Sequence, residues 1–488
     1  MKNTTSYLPG FHWPIQHRKP RSTHQELTEE VRLLKQKSFT QLGDCLGKYI
    51  PRKYLLPAKS GALSRRRIFS KENTFWAFLS QVLSGDRGCK EAVRKLQAYA
   101  ALKSNHLPSS STAAYCNARK KLDEDELKAI LHYTAKEIQC RSKHKLLKGR
   151  RVIVVDGTGV SMPDSVKNQE QWPQYTSQKP GCGFPQAALC ACFNLYDGSL
   201  LSYQLGNKKS HELPMLRKQW DTFNPNDIFL GDKGFCSYFD ISSFKDRGVD
   251  SVVTLARRTP VCATEAIKVL GEDDLLITWK KPTWNKAGSY SFEDWKALPE
   301  TLSLRQIKVN IKQKGFRSSS FYIITSLLDA QEYPAHEIAE LYLQRWNVEV
   351  FFRDIKTTMG MDILRCKTPA MIRKEILMHL IAYNCIRRLM IEAAETQDLE
   401  LRKMSFKGSV QALRQWEPHL YSDKMNGKQQ AQLIRQLYDS IATNLVVKRP
   451  GRREPRAVKR RPKPFQLLNK PRAEMIETQH RGKRPKPA

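Results

Sequence analysis

The sequence predicts an α/β protein, a mixed β-sheet flanked by helices, and three observations predict it. Apolar residues recur at helical spacing from Leu27 to about Cys140. From Lys148 onward the pattern changes to short, continuous apolar runs, some of which end in an acid, as buried strands do. Further on, Ala335–Gly360 (AHEIAELYLQRWNVEVFFRDIKTTMG) returns to a helical period and is apolar around most of its circumference. The 488 residues exceed what one compact core accommodates, so several domains are expected.

Residues 1–145 read as a helical region. Phe75, Trp76, Leu79 and Leu83 share one helical face, and Val93, Leu96 and Tyr99 another. After Pro108-Ser-Ser-Ser, a capping stretch, Thr112–Leu122 forms a short basic helix. Such a succession suits a helix-turn-helix-like reader of a DNA groove and equally a plain helical bundle. Arg65-Arg66-Arg67 ahead of it can contact phosphates or sit in water.

Residues 146–258 alternate strands and helices. Arg151–Asp156 (RVIVVD) is a buried strand ending in an acid, and Gln186–Leu195 and Ser199–Leu205 form a hairpin across Asp197-Gly198. A helix over His211–Trp220, capped by Ser210, precedes the strand Asp227–Leu230, which runs into Gly231-Asp232-Lys233-Gly234. Helix Tyr238–Lys245 and strand Ser251–Leu255 follow. Residues 259–318 break this alternation as a strand-rich insertion, with strands Leu275–Trp279 and Leu304–Ile311 and the indoles Trp279, Trp284 and Trp295. Residues 319–395 resume with strand Phe321–Leu328, the Ala335–Gly360 helix and a helix over Met371–Met390. Three strands, helix, strand, helix, strand and a later long helix is the order of the ribonuclease-H-like fold, whose mixed sheet sets the ends of its first and fourth strands side by side. Small helices over Gln411–Trp416 and Gln430–Ile441 occupy 396–447. The tail 448–488 holds 15 Lys or Arg against 3 Glu among prolines, too little apolar surface for a core, so it is expected to be disordered. It either binds an acidic partner or is simply solvated.

The formal charge of +35 would hold a polyanion, and nucleic acid is the commonest. A basic membrane-surface protein is the competing class. It is disfavoured because neither terminus has a basic amphipathic helix and no apolar run approaches about 18 residues. The N-terminal segment lacks a signal-peptide core, so a cytoplasmic location is expected. Eleven cysteines without a CxxC pair predict reduced thiols and no structural metal.

At about 100° per residue, Tyr342, Arg345, Glu349 and Lys356 fall within roughly 60° of one another and make a single polar stripe. Burying an acid and two cations is costly unless they are paired or bind something, so the stripe is expected to face a polar site. A solvated face with helical ion pairs is the alternative. Asp156, Asp232 and Glu349 then stand out as three acids on two strand ends and one buried helix. Carboxylates gathered in this way repel one another unless a divalent cation intervenes. Oxygen donors select Mg²⁺ or Mn²⁺, and two such ions can clamp an in-line phosphoryl displacement. Rival motifs fail. The loop after Asp156 lacks a second acid at Thr158, His211-Glu212 lacks the second histidine of a zinc protease at Met215, and no Walker loop is present.

The spacing Tyr342-x₂-Arg345-x₃-Glu349-x₆-Lys356 resembles the signature of the insertion-sequence-4 (IS4) family of DDE transposases. Asp156 in VIVVDGTGV and Asp232 in FLGDKGF resemble that family's first and second catalytic acids. They lie 76 residues apart, and 117 more separate Asp232 from Glu349, room for the strand-rich insertion the family carries there. The resemblance spans about Arg151 to Met390 and, more loosely, the basic ending. It implies a cut-and-paste DNA transposase. Asp156, Asp232 and Glu349 would hold two Mg²⁺ (or Mn²⁺) ions while each transposon end is hydrolysed, closed as a hairpin, reopened and joined to target DNA. Tyr342, Arg345 and Lys356 would contact phosphates near the cut. Two protomers would pair the terminal inverted repeats of a bacterial, nucleoid-associated element. The family also stacks a tryptophan from the insertion on a displaced base. Trp279 is the expected residue, with Trp284 and Trp295 nearby and a core role as the alternative. A DNA-binding regulator without activity, or a ribonuclease-H-like nuclease that cuts without joining, are the other functions this set of residues allows.

Overall fold

The structure is a computed structural model that describes residues 42–446 apart from 65–67, 104–106, 142–145, 177–178, 180, 208–209, 257–259, 285–289, 311–319 and 421–426. Arg65-Arg66-Arg67 and the basic tail therefore lie outside the described residues. The chain forms two compact units, Met1–Glu126 with Leu413–Arg435, and Leu127–Ala412 with Gln436–Ala488.

The first unit is helical. Helix α1 (Lys71–Leu83) starts where Ser70 Oγ accepts from the Asn73 amide, and it buries nearly every residue it contains, with Phe75, Trp76, Phe78 and Leu79 at its centre. Helices α2 (Cys89–Lys103) and α3 (Ala113–Lys120) pack against it. Two acceptors, Gln81 and Glu417, gather several of the polar groups in this core. Gln81 Oε1 accepts from the Tyr115 hydroxyl at 2.7 Å and from Arg119 at 3.1 Å, and Glu417 accepts from Ser80 at 3.1 Å and Lys95 at 2.8 Å. One cation of the basic helix therefore faces inward. Arg119 lies 4.8 Å from the Phe78 ring centre, while Lys120 and Lys121 face outward.

In the second unit a nine-stranded sheet comprises β1 (Val152–Ser161), β2 (Gln186–Asn194), β3 (Leu200–Gly206), β4 (Ile228–Gly231), β5 (Asp250–Thr254), β6 (Lys268–Gly271), β7 (Asp274–Lys280), β8 (Thr301–Asn310) and β9 (Ser320–Thr325), in the order β3-β2-β1-β4-β5-β9-β8-β7-β6. β1, β2 and β3 pair antiparallel, and β1, β4 and β5 pair parallel. This is the ribonuclease-H-like half. The insertion's strands β6–β8 continue the same sheet through β9, all antiparallel.

The hairpin between β2 and β3 turns at Gly198, where φ is +71°, and a Cβ there would come within 2.8 Å of both the Arg387 guanidinium and the Phe351 ring. Helix α4 (Glu212–Arg217) follows β3. It is shorter than the sequence suggests, and Ser210 bonds the Asn207 amide instead of capping it. Helix α5 (Tyr238–Asp246) packs on β4 and β5 through Phe244, whose ring stacks on Phe229 at 4.7 Å and meets Phe223 at 4.8 Å. Each buried phenylalanine contributes about 1.5–3 kcal/mol by leaving water, and together they fix the strand that precedes Asp232.

The segment from Ala335 is not one uniform helix. It runs as α6 (Ala335–Leu343), a 3₁₀ turn Gln344–Trp346, α7 (Asn347–Arg353) and a π turn Asp354–Thr358, with right-handed helical backbone at the junctions. Expected burial around nearly the whole circumference is also not met, because Leu343, Trp346 and Val350 are 43%, 52% and 38% exposed. Helix α8 (Pro369–Thr396) is the buried spine. Its Asn384 clasps the backbone of Leu200 at 2.9 and 3.0 Å, and Tyr383 donates to Gly198 O at 2.7 Å.

Candidate active site

Register brings the two aspartates together. Val154 on β1 is paired in parallel with Leu230 on β4. Asp156 and Asp232 each lie two residues beyond that pair, so the period of 2 places both on the same face of adjacent strands. Asp156 is not at the end of its strand, as the sequence suggests, since β1 continues to Ser161 along β2. It stands where β4 stops and the sheet opens. Asp156 Oδ1 accepts from the Gly157 amide at 2.8 Å, and Asp232 Oδ1 from the Gly234 amide at 2.7 Å.

The helical segment crosses this opening, with α7 packed against β1. Arg345 is buried, and its Nη1 comes 3.9 Å from Asp156 Oδ2 while its Nε has no partner among the described residues. Two residues further along β1, Thr158 accepts from Lys356 Nζ at 2.8 Å. Tyr342 is buried with its hydroxyl against the Thr254 hydroxyl at the end of β5, and its ring lies 5.3 Å from Phe321. Glu349 is solvent-exposed on the same segment. Burial pushes the Asp156 carboxyl above the usual carboxylate range. The Gly157 amide and Arg345 oppose that shift, and the charges of Asp232 and Glu349 add to it. Asp156 therefore senses both of the other acids. Asp354 lies apart, buried and 3.6 Å from Arg353.

Trp279 is the one expected site residue that the structure places elsewhere. It is 5% exposed within the core cluster beside Leu298 and Leu302, so neither ring face is open to a base. In that cluster β7 turns Ile277 and Trp279 inward and Thr278 outward. The outward indole of the insertion is Trp284, 40% exposed and edge-on to Phe292 at 5.5 Å.

A residue the sequence reading passed over also reaches the site. Glu212, in the first turn of α4, holds its carboxylate against Gly157, where a Cβ would lie 2.6 Å from Glu212 Cδ. Burial raises its carboxyl above the usual range, and the charges of Asp156 and Asp232 raise it further. An acid in a first helical turn reads as a partner of the helix dipole, which gave no signal for a site.

The donor set fits a hard divalent cation. The acids offer only oxygen, and they repel one another at Asp156. Among the described residues no three or more His, Cys, Asp or Glu side chains are close enough together to hold a metal ion as they stand, and no helix is long and apolar enough to cross a membrane.

The family profile of the transposase DDE domain matches residues 147–385, which span all three acids. The chain is 25% identical over 431 residues to transposase InsG of insertion sequence element IS4 from Escherichia coli K12, covering 87% of this chain and 92% of that protein. The transposase of insertion sequence element IS421 from Escherichia coli is 26% identical over 72 residues, 15% of this chain and 19% of that one. Among solved structures, a piggyBac transposase synaptic complex with hairpin DNA aligns over 88% of each chain with a TM-score of 0.40 and 10% identity. Residues 147–385 thus match a transposase DDE domain, and over most of its length the chain is similar to an IS4 transposase.

Proposed function

We propose that this transposase excises and inserts an insertion sequence by cut-and-paste transfer, using Asp156, Asp232 and Glu349 as its acids. The observation that carries the reading is the equivalent register of Asp156 and Asp232 beneath a helix that supplies Glu349 and Arg345. Those acids would hold two Mg²⁺ or Mn²⁺ ions, which when bound supply charge neutralisation for in-line phosphoryl transfer. In each step one P–O bond forms, to water or to a DNA 3′-hydroxyl, as another breaks and releases a 3′-hydroxyl, so no energy cofactor enters. Arg345, with an unspent Nε, can grip a phosphate by its fork. Lys356, which donates to Thr158 two residues beyond Asp156 on β1, adds a point charge. Tyr342 is braced by Thr254 and positions Arg345, whose guanidinium lies 5.9 Å from its ring centre.

Substrate DNA would be the terminal inverted repeats and the target, bound by a homodimer at the bacterial nucleoid in the cytoplasm. The surplus of positive charge supports this partner. Trp284, the exposed indole, replaces Trp279 as the residue placed to stack on a displaced base. Cleavage of a transposon-end duplex by Glu349→Gln tests the reading. The variant is expected to retain DNA binding and lose Mg²⁺-dependent cleavage, and cleavage at the wild-type rate would refute the assignment.

A further inference from the structure

We propose that Glu212 is a fourth carboxylate of the divalent-metal site, contributed by α4, and that it holds an ion together with Asp156 and Asp232. The inference rests on the reading of those aspartates as metal-holding acids.

Position is the first ground. The glycine after Asp156 and the glycine two residues after Asp232 are two places where an added Cβ would meet the Glu212 side chain. A Cβ on Gly157 would meet Glu212 Cδ at 2.6 Å and Cγ at 2.9 Å. A Cβ on Gly234 would lie 3.0 Å from Asp232 Oδ1 and 3.7 Å from Glu212 Oε2, so those two oxygens flank a single point. The Glu212 side chain thus passes over one aspartate's neighbour and ends beside the other aspartate.

Unmet electrostatics is the second. Among the described residues the Glu212 carboxylate accepts no hydrogen bond and faces no Lys or Arg, and the charges it senses are those of Asp156 and Asp232. Holding a half-buried carboxylate against two others costs free energy unless a cation joins them. Attraction to the dipole of α4 does not account for the placement. That helix has six residues, and the carboxylate bonds none of its amides.

The third ground is a separate side chain. Arg345, nine-tenths buried, directs Nη1 to within 3.9 Å of Asp156 while its Nε bonds nothing among the described residues. An unspent buried donor at the rim of an acidic cluster marks a place for an anion, and a phosphate can sit beside four carboxylates only if cations lie between them.

Mn²⁺ titration of the full chain, followed by electron paramagnetic resonance of the free ion, tests the proposal together with thermal melting in chelator. Glu212→Gln is expected to weaken Mn²⁺ binding about tenfold or more and to melt no lower than wild type in chelator, because one repelling charge is gone. Glu212→Asp keeps the charge in the first turn but is one methylene shorter, so it is expected to bind Mn²⁺ less tightly than wild type, and it supplies the measurement if the Gln variant does not fold. Wild-type Mn²⁺ affinity in Glu212→Gln, or in Glu212→Asp where the Gln variant does not fold, with weakened affinity in Asp156→Asn, overturns the role of Glu212 alone. Unchanged affinity in Asp156→Asn as well overturns the underlying metal-site reading. A Glu212→Gln variant that melts below wild type in chelator makes the residue structural and also overturns the proposal.

Discussion

The two halves of the site are built by different physics. The strand half is set by backbone register. Asp156 and Asp232 occupy equivalent positions on paired parallel strands, and each is pinned by an amide of its own loop. The helix half is set by side-chain contacts along a segment whose geometry changes three times, from α to 3₁₀ to α to π. Its Tyr342, Arg345 and Lys356 reach three separate points on the sheet, Thr254, Asp156 and Thr158. The strand half is accordingly stiff and insensitive to side-chain chemistry, whereas the helix half depends on each contact it makes.

The sharpest test of the strand half is Asp232→Asn. Register is a backbone property, so the variant is expected to fold and bind DNA as wild type while end cleavage falls about a thousandfold or more, the loss of several kcal/mol of transition-state stabilisation. A collapse in thermal midpoint would break the claim that the ladder alone holds this half. On the helix half, Arg345→Lys keeps the charge but not the fork. Cleavage is expected to drop about 30-fold, near 2 kcal/mol, in single-turnover rate more than in DNA affinity. Full activity in the lysine variant would reduce Arg345 to a point charge like Lys356.

The insertion divides in the same way between structure and chemistry. Trp279→Ala removes a buried side chain and is expected to cost about 3–5 kcal/mol in denaturant unfolding. Trp284→Ala is expected to stay within about 0.5 kcal/mol of wild type while slowing hairpin formation. Reversal of that order would return the stacking role to Trp279. The smallest effect concerns Asp354, the helical acid outside the site. Burial pushes its carboxyl from 3.8 up to about 6, against the lowering charges of Arg387 and Arg353. Its folded-state pKa exceeds the unfolded one, so the native state keeps the proton longer, and this residue's contribution to stability falls as pH rises from about 4 to about 6. Thermal melts across that window should show a shallower fall for Asp354→Asn, and parallel curves would place Asp354 in a solvated setting.

Much of this was legible in the sequence because strand ends and helical stripes leave periodic marks. The run Arg151–Asp156 announced a buried strand and its acid, and Gly231-Asp232 announced the second. The stripe Tyr342, Arg345, Lys356 was legible because the 3₁₀ and π turns stay in right-handed helical backbone, which leaves the approximate facing intact. The breaks themselves were not legible, nor was the exposure of Trp346, since apolar spacing says which residues share a face but not whether another element covers it. Trp279 and Trp284 are alike in composition, and only the pairing of β7 with β8 decides which is buried. Glu212 was hidden because its function depends on a distant glycine. Gly157 leaves the space into which that side chain extends, and no spacing rule links the two.

The unbroken sheet from β3 to β6 has a mechanical consequence. An insertion joined by a flexible tether could grip DNA without disturbing the strands behind it. Here β6–β8 share a ladder of backbone hydrogen bonds with β9, β5 and β4, the strand that leads into Asp232. The insertion is thus a cantilever fixed to the sheet that carries the acids, and under the proposed function a load applied by bent DNA at Trp284 would be borne by the same beam that sets the spacing of Asp156 and Asp232.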